Sequence, residues 1–312
     1  MKRTKPHRLS VPTASATTAL QAQIIAAHGR HYFAQLQTGE RIKCFPRGKR
    51  GGICVGDWVE LSPQGEQAVI THVHERKNLF YRSDQNRSKQ FAANIDQLLI
   101  VVASEPMFSE DLAGRALVAA HAADIHAYIL LNKTDLASAN QARARLQTFI
   151  DVGVPVLEVS ALDSTALNST LKPLLVDKTT LLLGQSGMGK STLLNALVPQ
   201  AQAHTQSHST ALGTGRHTTT STTLYYLPTQ NSKLIDSPGF QAFGIAHLSP
   251  ADLIHGFIEF HEPLKQCKFY NCSHRHEPDC GVNAALSQGL IHPERYALYL
   301  RLLAELEAQP KY

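Results

Sequence analysis

The sequence runs to 312 residues, 43% hydrophobic and 18% charged, with a net charge of +5. That is enough chain for two or three domains and a sizeable core, and its longest uncharged apolar runs, such as residues 98–103, are far too short to span a bilayer. No apolar stretch follows the N-terminal charges as in a secretory leader, so a cytoplasmic protein without membrane contact is expected.

Residues 1–20 are basic and then rich in Ser, Thr and Ala, the composition of a flexible arm. Residues 21–85 hold short alternating segments, QIIAAHG, HYFAQLQ, RIKCFP, DWVELS and QAVITHVHE, separated by glycine-containing turns. Closely spaced short strands predict a small OB-like β-barrel, a fold that binds nucleic acid across one face. Charge supports that use. Residues 1–90 carry 15 Lys/Arg against 6 Asp/Glu, while residues 91–312 carry 15 against 19. A basic segment joined to a mildly acidic remainder implies a polyanion-binding module, RNA above all, with RGKRGG at 47–52 as a phosphate-contacting loop.

From residue 90 to 245 the pattern changes to strands alternating with helices. QLLIVVAS, HAYILLNKTDL, VPVLEVSAL, TTLLLG and KLIDSPGF read as strands; EDLAGRALVAAHAAD, ARARLQTFIDVG and STLLNALV read as helices. Such alternation predicts an α/β domain with a parallel sheet covered on both faces. Residues 246–312 are His- and Cys-rich and end in a helix, PERYALYLRLLAELEA, with Pro293 in its first turn and Tyr296, Tyr299, Leu300, Leu303 and Leu306 on one packing face.

Gly184-Gln185-Ser186-Gly187-Met188-Gly189-Lys190-Ser191, followed by Thr192, satisfies the phosphate-loop pattern between a predicted strand and a predicted helix. Its glycines let backbone N–H groups turn toward phosphate oxygens, and the helix N-terminus adds a favourable dipole. Lys190 is the expected ligand of the β- and γ-phosphates and Ser191 of Mg²⁺. Asp236, ending an apolar strand in LIDSPG, is placed to hold the Mg²⁺ shell, and the Gly239 N–H to sense a γ-phosphate. Asn132-Lys133-Thr134-Asp135 follows another apolar strand. A carboxylate such as Asp135 can accept from guanine N1–H and N2–H₂, a donor pair that adenine lacks. Asn132 could bond the other base edge, the Lys133 stem could cover the ring, and Ser160-Ala161-Leu162 could complete the pocket through the Ala161 N–H. The order is base reader, Ser-Ala-Leu, phosphate loop, threonine-rich segment, Asp-Ser-Pro-Gly. In ordinary GTPases the phosphate loop comes first, so the order implies a circular permutation, which leaves site residues in place when the chain ends lie close together.

These motifs in this order resemble the circularly permuted ribosome small subunit-dependent GTPase A family over nearly the whole chain. The resemblance implies a GTPase converting GTP to GDP and phosphate. It implies that the protein binds the small (30S) ribosomal subunit and its rRNA late in maturation, and that the subunit stimulates hydrolysis. The polar segment 204–223 is the expected switch, with Thr219 or Thr220 reaching the metal. Many GTPases orient the attacking water with a Gln just after Asp-x-x-Gly; here that position is Phe240. The resemblance points instead to His217 in GRHTTT.

Residues 267–280, CKFYNCSHRHEPDC, bring three cysteines and two histidines together. An odd total of five cysteines suits a reducing compartment and a metal site better than disulfides. Three thiolates and one imidazole suit a closed structural zinc site. Cys267, Cys272 and Cys280 are the thiol ligands; His274 and His276 compete for the fourth place, and the resemblance favours His274. Cys44 and Cys54 are expected to be isolated core or surface thiols. Nothing in the sequence demands an oligomer, so a monomer is expected. Three alternatives are a binding protein that uses GTP only as a conformational ligand, a permuted GTPase serving the large subunit, and, against the Asp135 reading, an ATPase.

Overall fold

The computed structural model describes residues 19–29, 31–48, 52–83, 88–199, 221–229, 231–238 and 241–308. Five strands open the chain: β1 (Leu20–His28), β2 (His31–Leu36), β3 (Arg41–Pro46), β4 (Trp58–Gln64) and β5 (Gln67–Val73). They pair in the order β1-β2-β3-β5-β4 and close through β1–β4, with β3 and β5 parallel. The small barrel is filled by Ala22, Ile24, Tyr32, Ala34, Cys44, Val59, Leu61, Ala68 and Ile70. All five barrel segments read from the sequence are therefore strands. Cys44 and Cys54 are both buried, and burial pushes each thiol up to about 12.

Strand β1 breaks the alternation expected of a half-exposed strand: Ala22 to Ala26 are all buried. It is covered on both sides because it bulges between Ile24 and Ala26, pairing with β2 and β4 and, at Ala26, with Thr223 of a later strand. Its buried Gln23 donates to Gly56 O at 3.1 Å and accepts from the Tyr226 hydroxyl at 3.2 Å. Gly56 has φ +95, and a Cβ there would collide with the Ala93 carbonyl, so only glycine lets the barrel close against the next element.

That element is a hairpin, β6 (Leu79–Ser83) and β7 (Ser88–Ala93), which straddles the boundary expected near residues 85–90. Phe80 and Phe91 of the hairpin hold Phe243 between them, with ring centroids 5.8 and 6.0 Å away.

The remaining strands are β8 (Gln97–Val102), β9 (His126–Leu131), β10 (Val156–Glu158), β11 (Thr179–Leu183), β12 (Thr223–Tyr226) and β13 (Lys233–Asp236). They line up as β10-β9-β8-β11-β13-β12, parallel throughout except for β12. β8 and β11 are buried along their whole lengths, as strands covered on both faces must be. VPVLEVSAL yields only the three-residue β10 before the chain turns into the Ser-Ala-Leu loop.

Helix Glu110–Ala122 is capped by the Ser109 hydroxyl, which accepts from Leu112 N, and it supports the C-terminal segment. Gly256 lies against the Val118 carbonyl, and Gly114 against Leu298. In the last helix, Pro293–Glu307, Tyr299 and Leu303 are buried as expected, but Arg295, Leu298 and Leu302 fill the rest of the face. Tyr296, Leu300 and Leu306 are only half-buried. Arg295 turns inward because Glu259 meets it at 2.7 Å and the Phe257 ring lies beneath it. No described helix is long and apolar enough to cross a membrane.

Candidate functional site

The parallel sheet sets the site. Strand register puts Leu182 beside Asp236, Leu183 beside Ile100, and Val102 and Glu158 beside Leu131. The segments leaving β8, β9, β10, β11 and β13 therefore emerge along one carboxyl edge, where open α/β sheets bind ligands. Residues distant in sequence, and in permuted order, become neighbours there.

The phosphate loop leaves β11 at the buried Gly184, where a Cβ would strike the Val101 carbonyl. Gly187 and Gly189 take φ of +84 and +88, which L side chains rarely adopt. Met188 is buried and anchors the loop, while Ser186, Ser191 and Thr192 are exposed at its mouth. Lys190 opens helix Lys190–Leu197 and is buried; its Nζ donates to Gly184 O at 2.7 Å and Gln185 O at 3.0 Å. Burial lowers its pKa, against the opposing attraction of Asp236. Asp236 is itself 2% exposed, and Ser237 next to it donates to Leu182 O at 2.7 Å. A cation and a carboxylate thus face each other at the end of adjacent parallel strands.

The tetrapeptide Asn132-Lys133-Thr134-Asp135, expected to read the base, leaves β9. Asn132 is 1% exposed, and both of its amide atoms are used within the protein. Nδ2 donates to Met188 O at 3.0 Å, and Oδ1 accepts from Ala161 N at 3.0 Å. The sequence assigned Asn132 and the Ala161 N–H to the base; here they bond each other and join three loops. Lys133 has φ +61, and its Nζ donates to Glu105 O at 2.6 Å. The Thr134 N–H donates to Val159 O at 3.3 Å. Asp135 is exposed and makes no hydrogen bond among the described residues. Ser160 is buried and its hydroxyl accepts from Leu162 N at 3.2 Å. Leu162 is 80% exposed.

His217, Thr219, Thr220, Gly239 and Phe240 lie outside the described residues, as do residues 1–18 of the expected arm and 49–51 of the basic loop.

Sequence reading missed Ser104, Glu105 and Ser109, which leave β8 at the same edge, and Ser138 just beyond the base reader. Their only signal was position, directly after a buried strand or a recognised motif.

A second cluster lies in the C-terminal segment. Ligand atoms of Cys267, Cys272, His274 and Cys280 all fall within 4.8 Å of one another. His274 Nδ1 sits 3.6 Å from Cys267 Sγ and 3.5 Å from Cys280 Sγ. Burial pushes the Cys272 thiol up to about 12 and lowers the His274 pKa, keeping its ring neutral, the form that ligates metal. Two buried thiols and a half-buried third converge with one buried imidazole. A tetrahedral divalent cation fits the donor set. His276 is exposed and outside the cluster. The turn is shaped by Glu277, whose carboxylate accepts from the N–H groups of Ser273, Arg275 and His276.

Residues 73–246 match the model of the RsgA GTPase family. The small ribosomal subunit biogenesis GTPase RsgA of Bordetella pertussis is 57% identical over 291 residues, which cover 93% of this chain and 97% of that protein. Its counterpart in Paraburkholderia phymatum is 52% identical over 306 residues, 96% of each chain. Among solved structures, YjeQ from Thermotoga maritima superposes with a TM-score of 0.73 at 30% identity, covering 94% of this chain and 100% of that one. YloQ, described as a circularly permuted GTPase, gives 0.69 at 26% identity over 97% and 100%.

An Asn-Lys-Thr-Asp segment, a phosphate loop and a strand-end aspartate sharing one sheet edge in permuted order define a circularly permuted P-loop GTPase carrying an N-terminal barrel and a C-terminal cysteine–histidine cluster. With the family model matching over half its length, this chain belongs to the RsgA GTPase family, and its reaction is the hydrolysis of GTP.

Proposed function

We propose that this chain binds the small ribosomal subunit and its rRNA, hydrolyses GTP there late in subunit maturation, and turns over fast only when docked. The observation that carries the reading is the shared sheet edge: Lys190, Asp236, Asn132 and Ala161 end or follow four strands that finish side by side. Relatives at 50–57% identity carry the small-subunit name, and the basic N-terminal region supplies the charge that rRNA binding requires.

The division of labour follows the chain. Residues 1–20 are a basic arm, 21–85 an RNA-binding barrel, 90–245 the permuted GTPase domain and 246–312 a zinc-binding helical domain. The protein works as a cytoplasmic monomer. Glycines 184, 187 and 189 let the loop N–H groups, with Gln185, Ser186, Met188 and Thr192, surround the phosphates, and Lys190 exchanges its carbonyl partners for phosphate oxygens. Ser191 and Asp236, with Thr219 or Thr220, would hold a magnesium ion, which when bound offsets charge on the transferring phosphate. Gly239 senses the γ-phosphate, and His217 orients the water, since Phe240 cannot. Asp135 accepts from the guanine edge, with Lys133 and Thr134 beside it and Ser160 and Ala161 closing the pocket. Cys267, Cys272, His274 and Cys280 would hold one zinc ion, a staple that a segment of about seventy residues benefits from.

Asp135→Asn tests the base assignment. Its amide can donate where guanine donates, so GTP affinity falls and xanthine nucleotides gain. Unchanged GTP affinity in that variant contradicts the reading.

A further inference from the structure

The loop from β8 to helix Glu110–Ala122, residues 103–109, touches both halves of the nucleotide pocket. Toward the base reader, the Ser104 hydroxyl lies 2.9 Å from that of Ser138, and a Glu105 carboxylate oxygen accepts from the Ser138 hydroxyl at 2.5 Å. The Glu105 carbonyl accepts from Lys133 Nζ at 2.6 Å. Toward the phosphate loop, a Cβ on Gly187 would lie 2.9 Å from Pro106 Cδ, so the proline ring rests directly on that glycine. The Ser109 N–H donates to Gln185 Oε1 at 2.7 Å. Glu105 and Pro106 are both exposed, so no core packing explains these contacts.

We propose that Ser104-Glu105-Pro106 is a strap that sets the spacing between base reader and phosphate loop, and that Glu105 is a positioning residue for guanine-nucleotide affinity. The physical reason is local. Lys133 sits at φ +61 in a loop whose next residue but one, Asp135, has no bond of its own among the described residues. A guanine acceptor on a free loop would lose conformational entropy on every binding event. Glu105 removes part of that cost by holding the loop from both sides of Asp135: its carbonyl fixes Lys133, and its carboxylate fixes Ser138. Asn132 supplies a second, buried link between the same two loops; the strap is the exposed one. The inference rests on the nucleotide-site reading above.

The test is the affinity of the full-length protein for a fluorescent GDP analogue, with steady-state GTP turnover measured in parallel. Glu105→Ala and Ser138→Ala both remove the Glu105–Ser138 hydrogen bond, and each weakens affinity by at least about five-fold, the size set by one ordinary hydrogen bond; Ser138→Ala also gives up the Ser104 contact. The double variant loses no more than Ser138→Ala alone. The loss falls on KM and not on kcat, because the strap touches no reacting atom. Glu105→Gln keeps an acceptor for Ser138 and restores affinity, a rescue that separates positioning from general damage to the fold. Wild-type affinity in both alanine variants, additive losses in the double variant, or a fall in kcat with KM unchanged overturns the proposal. Asp135→Asn measured alongside keeps the two readings apart. If it loses guanine preference while the strap variants bind normally, only the strap fails; if it too binds normally, the site assignment fails.

Discussion

Replacing Asn132 with alanine tests whether the pocket is held together as the geometry indicates. The side chain is 1% exposed and makes two 3.0 Å hydrogen bonds, to the Met188 carbonyl of the phosphate loop and from the Ala161 N–H of the Ser-Ala-Leu loop. Deletion leaves one backbone acceptor and one backbone donor without their partners, at about 1–3 kcal/mol each when buried. Water can reach loops at a sheet edge, so the low end of the summed range of about 2–6 kcal/mol applies, about 2–3 kcal/mol. Before nucleotide binds, the loops relax apart, and binding must restore them. The loss therefore appears as affinity, roughly 30- to 150-fold weaker. Titration with a fluorescent guanine nucleotide measures it. Asn132→Asp sharpens the test: its carboxylate can still accept from Ala161 N but sets a negative oxygen against the Met188 carbonyl, so it binds no better than Asn132→Ala. Wild-type affinity in the alanine variant, or clear recovery in the aspartate variant, refutes the reasoning.

Two further outcomes are expected. Chelation releases one zinc ion per chain and unfolds the C-terminal segment, which exposes three thiols, Cys267, Cys272 and Cys280, to reagent, while Cys44 and Cys54 stay buried and slow; it also weakens small-subunit binding, and intact far-UV circular dichroism with intact binding contradicts this. Burial holds the Lys190 ammonium below its ordinary 10.5, so the folded protein without nucleotide releases that proton before the unfolded chain does. The unfolded state then binds more protons, and stability rises as pH climbs through the folded value. Melting temperatures measured as pH approaches 10.5 from below should rise less steeply for Lys190→Met than for the wild type; identical slopes contradict the assignment.

The motifs were legible because their chemistry restricts residue identity. A phosphate loop needs glycines at φ near +85 beside a lysine, and Gly187, Gly189 and Lys190 meet that need locally. The five barrel strands and the main helices were legible from alternation and period. What the sequence hid depends on partners far along the chain. Strand β12 was not foreseen, because TLYY becomes a strand only by pairing with β13 and with Ala26 of the barrel. The β6–β7 hairpin fell across an expected boundary, since its apolar residues serve Phe243, some 150 positions later. The last helix buries Arg295, one turn before Tyr299 on the same face, although its charge argues for solvent, because Glu259 pairs with it at 2.7 Å. Asn132 looked like a base ligand because its motif says so. Its hydrogen bonds to Met188 and Ala161 become visible only when β9, β10 and β11 end at one edge.

The central claim is a GTPase gated by the small ribosomal subunit. Its most direct test is GTP turnover by the purified protein alone, with small subunits and with large subunits, using Lys190→Ala as the blank. The account predicts slow turnover alone and strong stimulation confined to small subunits. Turnover that ignores both subunits, or that responds equally to each, contradicts it.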